Sequence, residues 1–315
     1  MSPLLRFKSK YFSHQLASLG LHAVALLRVQ NALAKRLVEK HYASVIPSAP
    51  QQASSPNLAS PNPQAQPWAS AMHTLENLMA QSTGQLQNDL QNFSVLSSQA
   101  ITLVLSNQLV RYKIIPAMPA LSSADKVMAV ATHCMRESFG DSVDDWMIRV
   151  NPLPHGDSLV ISAVDAELIS AIEFLCKKYQ FKLKSIQPYL MSGFNSMRRQ
   201  IRAGVSCLAQ VEVGRLTIAL THDGDWKTIT ATTSSEDWSA DLAALISREL
   251  LLAGLQNAQA SIYFSALPSV HDEKIKQLFK QNNPAWLVLA TDQKAVAGYD
   301  SSQDQPYTMA LSAVF

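Results

Sequence analysis

At 315 residues, 47% of them hydrophobic, the chain is long enough to bury a sizeable core and to fold as two domains or subdomains. A net charge of +2 excludes the electrostatic footprint of a nucleic-acid binder, and a charged fraction of 16%, against ~25% in ordinary domains, suits a surface that meets other proteins. Three widely spaced cysteines, Cys134, Cys176 and Cys207, give neither a disulfide framework nor a metal spacing and fit a reducing compartment in which they serve as small core residues.

No uninterrupted run of about 18 apolar residues occurs, so no transmembrane helix is expected. Near the start, Leu16–Leu27 (LASLGLHAVALL) follows a basic stretch and has the outline of a signal-peptide core. His22 interrupts it, Arg28 follows at once and no cleavage site comes next, which favours a buried strand over Gly20–Val29, followed by a mixed basic stretch. Pro47–Pro67 holds six of the chain's 15 prolines among Ser, Gln, Ala and Asn, with no charge. It reads as an extended, disordered insertion, too poor in apolar residues to offset its ordering entropy. Trp68–Leu96 reads as a helix, with Met72, Leu75, Leu78, Met79, Leu86, Leu90 and Phe93 at near-helical spacing and a weak point at Gly84.

Ala100–Ser106 (AITLVLS) suits a central, doubly covered strand, and Leu109–Ile115 a second strand stopped by Pro116. Ser122 and Asp125 form a capping signal for a helix over Ser122–Ser138. Strands follow at Trp146–Val150 and Ser158–Val164; Asp165 caps a helix to Tyr179, and Phe181–Ile186 is a further strand. From Leu109 to Ile186 the order is therefore β-α-β-β-α-β. Pro188 then opens a helical segment, Tyr189–Ile201.

Ala209–Thr232 reads as a three-strand meander. Val211, Val213, Leu216, Ile218 and Leu220 have period-two spacing, and Gly214-Arg215 and Asp223-Gly224 supply the turns. A helix from about Glu236 to Leu255 carries the stripe Leu242, Leu245, Ile246, Leu250 and Leu251. Strand Ser261–Phe264, helix His271–Lys280, strand Trp286–Ala290 and a short helix Tyr307–Val314 complete the chain, and the alternation argues for α/β layers.

Three stretches carry a resemblance: TLVLSNQLVRYKIIP (Thr102–Pro116), LVISAVDAELISAIEFLCKKYQFKLKSIQPYLMS (Leu159–Ser192) and the meander with its DGDW turn. In the order of its elements the chain resembles PilM of type IV pili and the cytoplasmic part of the type II secretion L protein, both actin-like. The resemblance implies a two-lobed actin-like (RNase H-like) α/β fold with an inserted βαββαβ subdomain. The first lobe would open over residues 1–106, the insertion would span 107–187, a hinge helix 188–204, and the second lobe with the C-terminal return 205–315. In that fold a meander and a long helix open each half, and phosphate sits against the first turn of each.

The nucleotide motifs depart from the family. Near Gly20, in LGLHAVALLRVQN, the acidic residue of the first phosphate turn is missing. The second turn is Glu212-Val213-Gly214-Arg215, and the adenine-side Gly-Gly pair is absent from YFSALPS (Tyr263–Ser269). Gly20, Glu212, Gly214 and Arg215 are the candidate nucleotide residues. Glu212 could orient a metal-bound phosphate, although a solvated or salt-bridged strand end is the plainer reading. Arg215 could hold phosphate or be an exposed turn residue, which leaves weak MgATP binding without hydrolysis open.

Arg198, Arg199 and Arg202 form a basic cluster that could meet an acidic partner segment or lipid head groups, against the plainer reading of a solvated helix face. The eight histidines are read as making no i, i+4 pair with a carboxylate, which argues against zinc. Asp144, Asp145 and Asp157 suit turns and caps, and neither Ser106 nor Ser192 lies in a nucleophile elbow. Trp226 and Trp238 are expected to cover the meander.

The resemblance and its departures together imply a catalytically inactive scaffold with no catalytic residue, cofactor or metal. It would be cytoplasmic and peripheral to an inner-membrane pilus or secretion apparatus, binding the cytoplasmic segment of a membrane protein, with self-association open. The alternatives are an ATP-binding member with slow or regulatory hydrolysis, or a small-molecule kinase of the related superfamily. The kinase needs a catalytic Asp, and only Glu212 is near the right place.

Overall fold

The computed structural model describes residues 12–31, 35–45, 66–90, 99–116, 123–152, 158–198, 201, 203–235, 238–265, 277–281, 283, 285–290 and 305–314. The insertion expected at Pro47–Pro67 lies almost wholly outside them, as do Arg199, Arg202 and most of the helix expected at His271–Lys280.

The first lobe opens with a meander: β1 (Phe12–Leu19), β2 (Ala23–Asn31) and β3 (Lys35–Ser44). The apolar run Leu16–Leu27 is thus not one strand. It folds back at Gly20–His22 so that Leu16 faces Leu27 and Leu19 faces Val24 across an antiparallel ladder. The stretch read as mixed and basic is the edge strand β3, whose described side chains are mostly half-buried or exposed except Leu37. Helix α1 (Ala69–Leu90) and strand β4 (Ala100–Leu105) follow.

Next come β5 (Val110–Pro116), α2 (Ala124–Phe139), β6 (Trp146–Pro152), β7 (Ser158–Asp165), α3 (Ala166–Lys178) and β8 (Lys182–Pro188). The expected β-α-β-β-α-β order is present along the chain, but its members divide between two sheets. β5, β7 and β6 form a separate three-stranded antiparallel sheet under α2, whereas β8 lies parallel to β4 in the first lobe. Helix α3 goes with β8, because Leu168, Ile169, Ile172 and Leu175 bury into the same core as Leu75 and Met79 of α1. Order alone cannot separate these sheets, since either membership satisfies the same apolar pattern.

Helix α2 is capped by Ser123, whose hydroxyl accepts from the Lys126 amide at 3.3 Å, one residue after the Ser122 expected. On its exposed face His133 Nε2 lies 3.5 Å from Glu137, an i, i+4 carboxylate pair that corrects the reading of the histidines. Asp165 caps α3 as expected, accepting from Glu167 N at 2.8 Å, and its other oxygen accepts from Trp68 Nε1 at 2.8 Å.

Helix α4 (Tyr189–Met197) leads into the second meander, β9 (Val205–Glu212), β10 (Arg215–His222) and β11 (Asp225–Thr233), then α5 (Trp238–Leu252), β12 (Ala260–Ser265) and β13 (Trp286–Ala290). The turn into β11 places Asp223 at φ +53° and Gly224 at φ +85°, the left-handed pair a tight hairpin requires. Val211, Leu216, Ile218 and Leu220 are buried against α5, but Val213, on the turn, is 56% exposed. The α5 stripe likewise ends at Leu250, with Leu251 at 61% exposure.

The two lobes repeat one topology. The first sheet runs β3-β2-β1-β4-β8 and the second β11-β10-β9-β12-β13, each an antiparallel meander extended by parallel strands. Residues 305–314 return to the first lobe, where Ala310 and Leu311 cover Leu16, Leu27 and Val29 on the sheet face opposite α1. The cysteines are free thiols; burial pushes Cys176 up to about 11 and Cys207 to about 12. Among the described residues no helix is long and apolar enough to cross a membrane.

Candidate functional site

The turn after β1 and the turn after β9 meet around a cavity of about 60 Å³, lined among others by Gly20, Ser106, Gln108, Glu212, Val213 and Met309. The structure therefore brings Gly20 and Glu212 to one place, with Gly214 and Arg215 completing the second turn. Gly20 is required for close approach: a Cβ there would stand 3.2 Å from Ala23 O and 3.6 Å from both Met309 Cε and Ser106 Cβ. Gly214 has φ +71° and open space around it.

Glu212 is not the solvated strand end expected, nor, among the described residues, a salt-bridged one. It is 8% exposed; Ser106 Oγ donates to its Oε1, and the Asn107 amide donates to its Oε2 at 3.1 Å. Burial pushes its carboxyl above the ordinary range, opposed by those donors and by the charge of Arg215. Arg215 itself is half-buried, with an Nε that has no hydrogen-bond partner among the described residues.

Asn107, fully buried, is the centre of this arrangement and was missed in the sequence. Its Nδ2 donates to Gln210 Oε1 at 2.8 Å, and its Oδ1 accepts from Tyr112 OH at 2.8 Å and from Leu190 N at 3.1 Å. Gln210 Nε2 in turn donates to Tyr189 O at 3.1 Å, and Gln108 Nε2 donates to Val213 O at 2.6 Å. One buried network thus ties the end of β4 to β5, to the first turn of α4 and to β9. Helix α4 lies so close to β9 that a Cβ on Gly193 would stand 2.3 Å from Gln210 Nε2. Ser192 joins the C-terminal return through Ser312 at 2.6 Å. The signal that could have found the network is polarity inside buried strands: Gln210 and Glu212 alternate with valines in AQVEV, and buried polar groups need partners.

On the other side of α4 a groove of about 850 Å³ runs between β6–β7, α4 and the β10–β11 turn. Val160, Ile186, Met191, Phe194 and Trp226 give it an apolar floor. The Phe194 and Trp226 rings pack at 4.6 Å between centroids, so Trp226 covers the meander as expected. Arg198 lies on the groove's rim; Arg199 and Arg202 fall outside the described residues.

No family model and no curated protein sequence matches the chain. Solved structures do. A protein of Bacteroides thetaiotaomicron VPI-5482 with an actin-like ATPase fold and unknown function matches at TM-score 0.55 and 10% identity, over 98% of this chain and 99% of that one. The PilM–PilN type IV pilus biogenesis complex matches at TM-score 0.59 and 12% identity, over 95% and 97%. The cytoplasmic domain of EpsL, an inner-membrane component of the type II secretion system of Vibrio cholerae, gives a TM-score of 0.48 at 11% identity, over 86% and 94%. With two lobes of one repeated topology, an inserted three-stranded sheet and the first two likenesses along almost its full length, the chain has the actin-like ATPase fold.

Proposed function

We propose that the protein is a non-catalytic, actin-like scaffold of an inner-membrane assembly platform, of the type IV pilus or type II secretion kind. It would stand on the cytoplasmic side and hold the cytoplasmic segment of a membrane partner in the groove beside α4. The observation that carries the reading is the state of the cleft. Where the fold opposes its two phosphate turns, this chain places direct bonds between the lobes and, among the described residues, a cavity of about 60 Å³, against the ~300–1,000 Å³ of small-molecule pockets. A nucleotide entering here would have to break those bonds, strand the buried Glu212 carboxyl and displace Met309. The groove, by contrast, is open and has the size and apolar floor of a recognition site. That PilM is solved with PilN supports the partner half of the reading.

Thermal unfolding with MgATP tests it. Ligand at ~100 times its dissociation constant adds about 2.7 kcal/mol to stability, which moves the melting temperature by several degrees. We expect no shift. A shift that Glu212→Ala abolishes would replace the scaffold with the ATP-binding alternative, and ATP-dependent turnover of a sugar or acetate would favour the kinase.

A further inference from the structure

The groove's rim and floor differ in character. Below lie Val160, Ile186, Met191, Phe194 and Trp226; above stand Arg149 on β6 and Arg198 at the end of α4, both exposed. Among the described residues no carboxylate forms an ion pair with either arginine. The acidic side chain on the rim, Asp223, is engaged elsewhere: Oδ1 accepts from Gly204 N at 2.8 Å, and Oδ2 lies 3.5 Å from His222 Nε2. Two arginines against one carboxylate leave the groove net positive over an apolar base.

Its shape suits an extended chain. Arg149 and Asn151 are two apart on β6 and both line the groove, as do Val160 and Ser162 on β7. An extended segment lying along the groove would turn alternate side chains to the floor and those between them to its mouth, where the exposed arginines stand.

We propose that the groove accepts an extended acidic–apolar peptide segment, with apolar side chains at alternate positions on the Val160–Phe194–Trp226 floor and carboxylates between them paired with Arg149 and Arg198. This rests on the groove being the partner site. The arginines set the sign of the partner, because rim charges select by complementarity and by penalising like charge.

Fluorescein-labelled decapeptides, measured by anisotropy against the full chain, test it: Leu alternating with Glu, Leu alternating with Lys, and Ser alternating with Glu. The Leu/Glu peptide should bind at least about tenfold tighter than either other, and should weaken as salt rises. The Arg149→Glu, Arg198→Glu double variant, altered only at exposed positions, should reverse the preference toward Leu/Lys. Phe194→Ala, accepted only if it melts cooperatively, should weaken every peptide.

If Leu/Lys binds the unaltered chain as well as Leu/Glu, and Phe194→Ala weakens both, the charge inference fails while the groove reading stands. Binding of Ser/Glu as tight as Leu/Glu, or Leu/Glu binding untouched by the double variant, also overturns the inference. If no peptide binds, both readings fall. Phosphatidylglycerol vesicles that bind through Arg149 and Arg198 and exclude the Leu/Glu peptide would assign the rim to lipid and overturn the proposal.

Discussion

Asn107 uses both polar atoms of its side chain and its own amide, and its four partners lie on three elements: Gln210 and Glu212 on β9, Tyr112 on β5 and Leu190 on α4. Such a residue fixes geometry more than it adds energy, since one buried bond nets only about 0.5–1.5 kcal/mol while an orphaned partner costs about 1–3 kcal/mol. Glu212, beside it, makes the network sensitive to pH. Burial holds its carboxyl above the ordinary 4.5, so the folded chain keeps that proton longer than the unfolded one. Stability contributed by the protonated form is then lost as pH rises from about 4.5 through the raised value. Glu212→Gln should remove this slope: urea unfolding of both proteins from pH 4.5 to 7.5 should show the difference between them moving in the variant's favour as pH rises. A flat difference would refute it. Gly20, Glu212, Gly214 and Arg215 were visible in the sequence as a pair of turns, because glycine and charge at strand ends stand out. What filled the cleft was not, because Ser106 and Glu212 are 106 positions apart and neither carries a mark of its partner.

Asp165 shows how much of an element can be read locally. A polar residue after an apolar strand and before a helical stripe announces a cap, and the cap is there. That the same carboxylate also receives the Trp68 indole, from the start of α1, is a tertiary fact with no local signature. Asp165→Ala removes both bonds and should lower unfolding stability by about 1–2 kcal/mol, with Asp165→Asn recovering only part of it, since one amide oxygen can replace one acceptor and not the other, as chemical denaturation would show. β3 escaped notice for the opposite reason. An edge strand with one buried described side chain, Leu37, has little periodicity to display. The meander β9–β11 was the plainest, since its turn residues and its alternating core positions agree.

The two sheets share one strand order although the sequence shows no repeat of motif, so the lobe architecture rests on topology and burial rather than on similar residues. The order of elements could be followed from the alternation of strands and helices. The sharing of α3 and β8 with the first lobe could not, because sheet membership is decided by which faces bury together. The C-terminal return has a consequence for biosynthesis. On a ribosome the first meander emerges nearly the whole chain length before residues 305–314, yet Leu16, Leu27 and Val29 are covered by Ala310 and Leu311. During translation that face of the first sheet stays uncovered, an apolar surface available to chaperones or to other nascent chains. A chain lacking residues 305–315 should keep its second sheet but lose about 3 kcal/mol of burial, bind a hydrophobic dye and collect in the insoluble fraction. An unchanged soluble yield and no dye binding would show instead that the first lobe completes itself before synthesis ends.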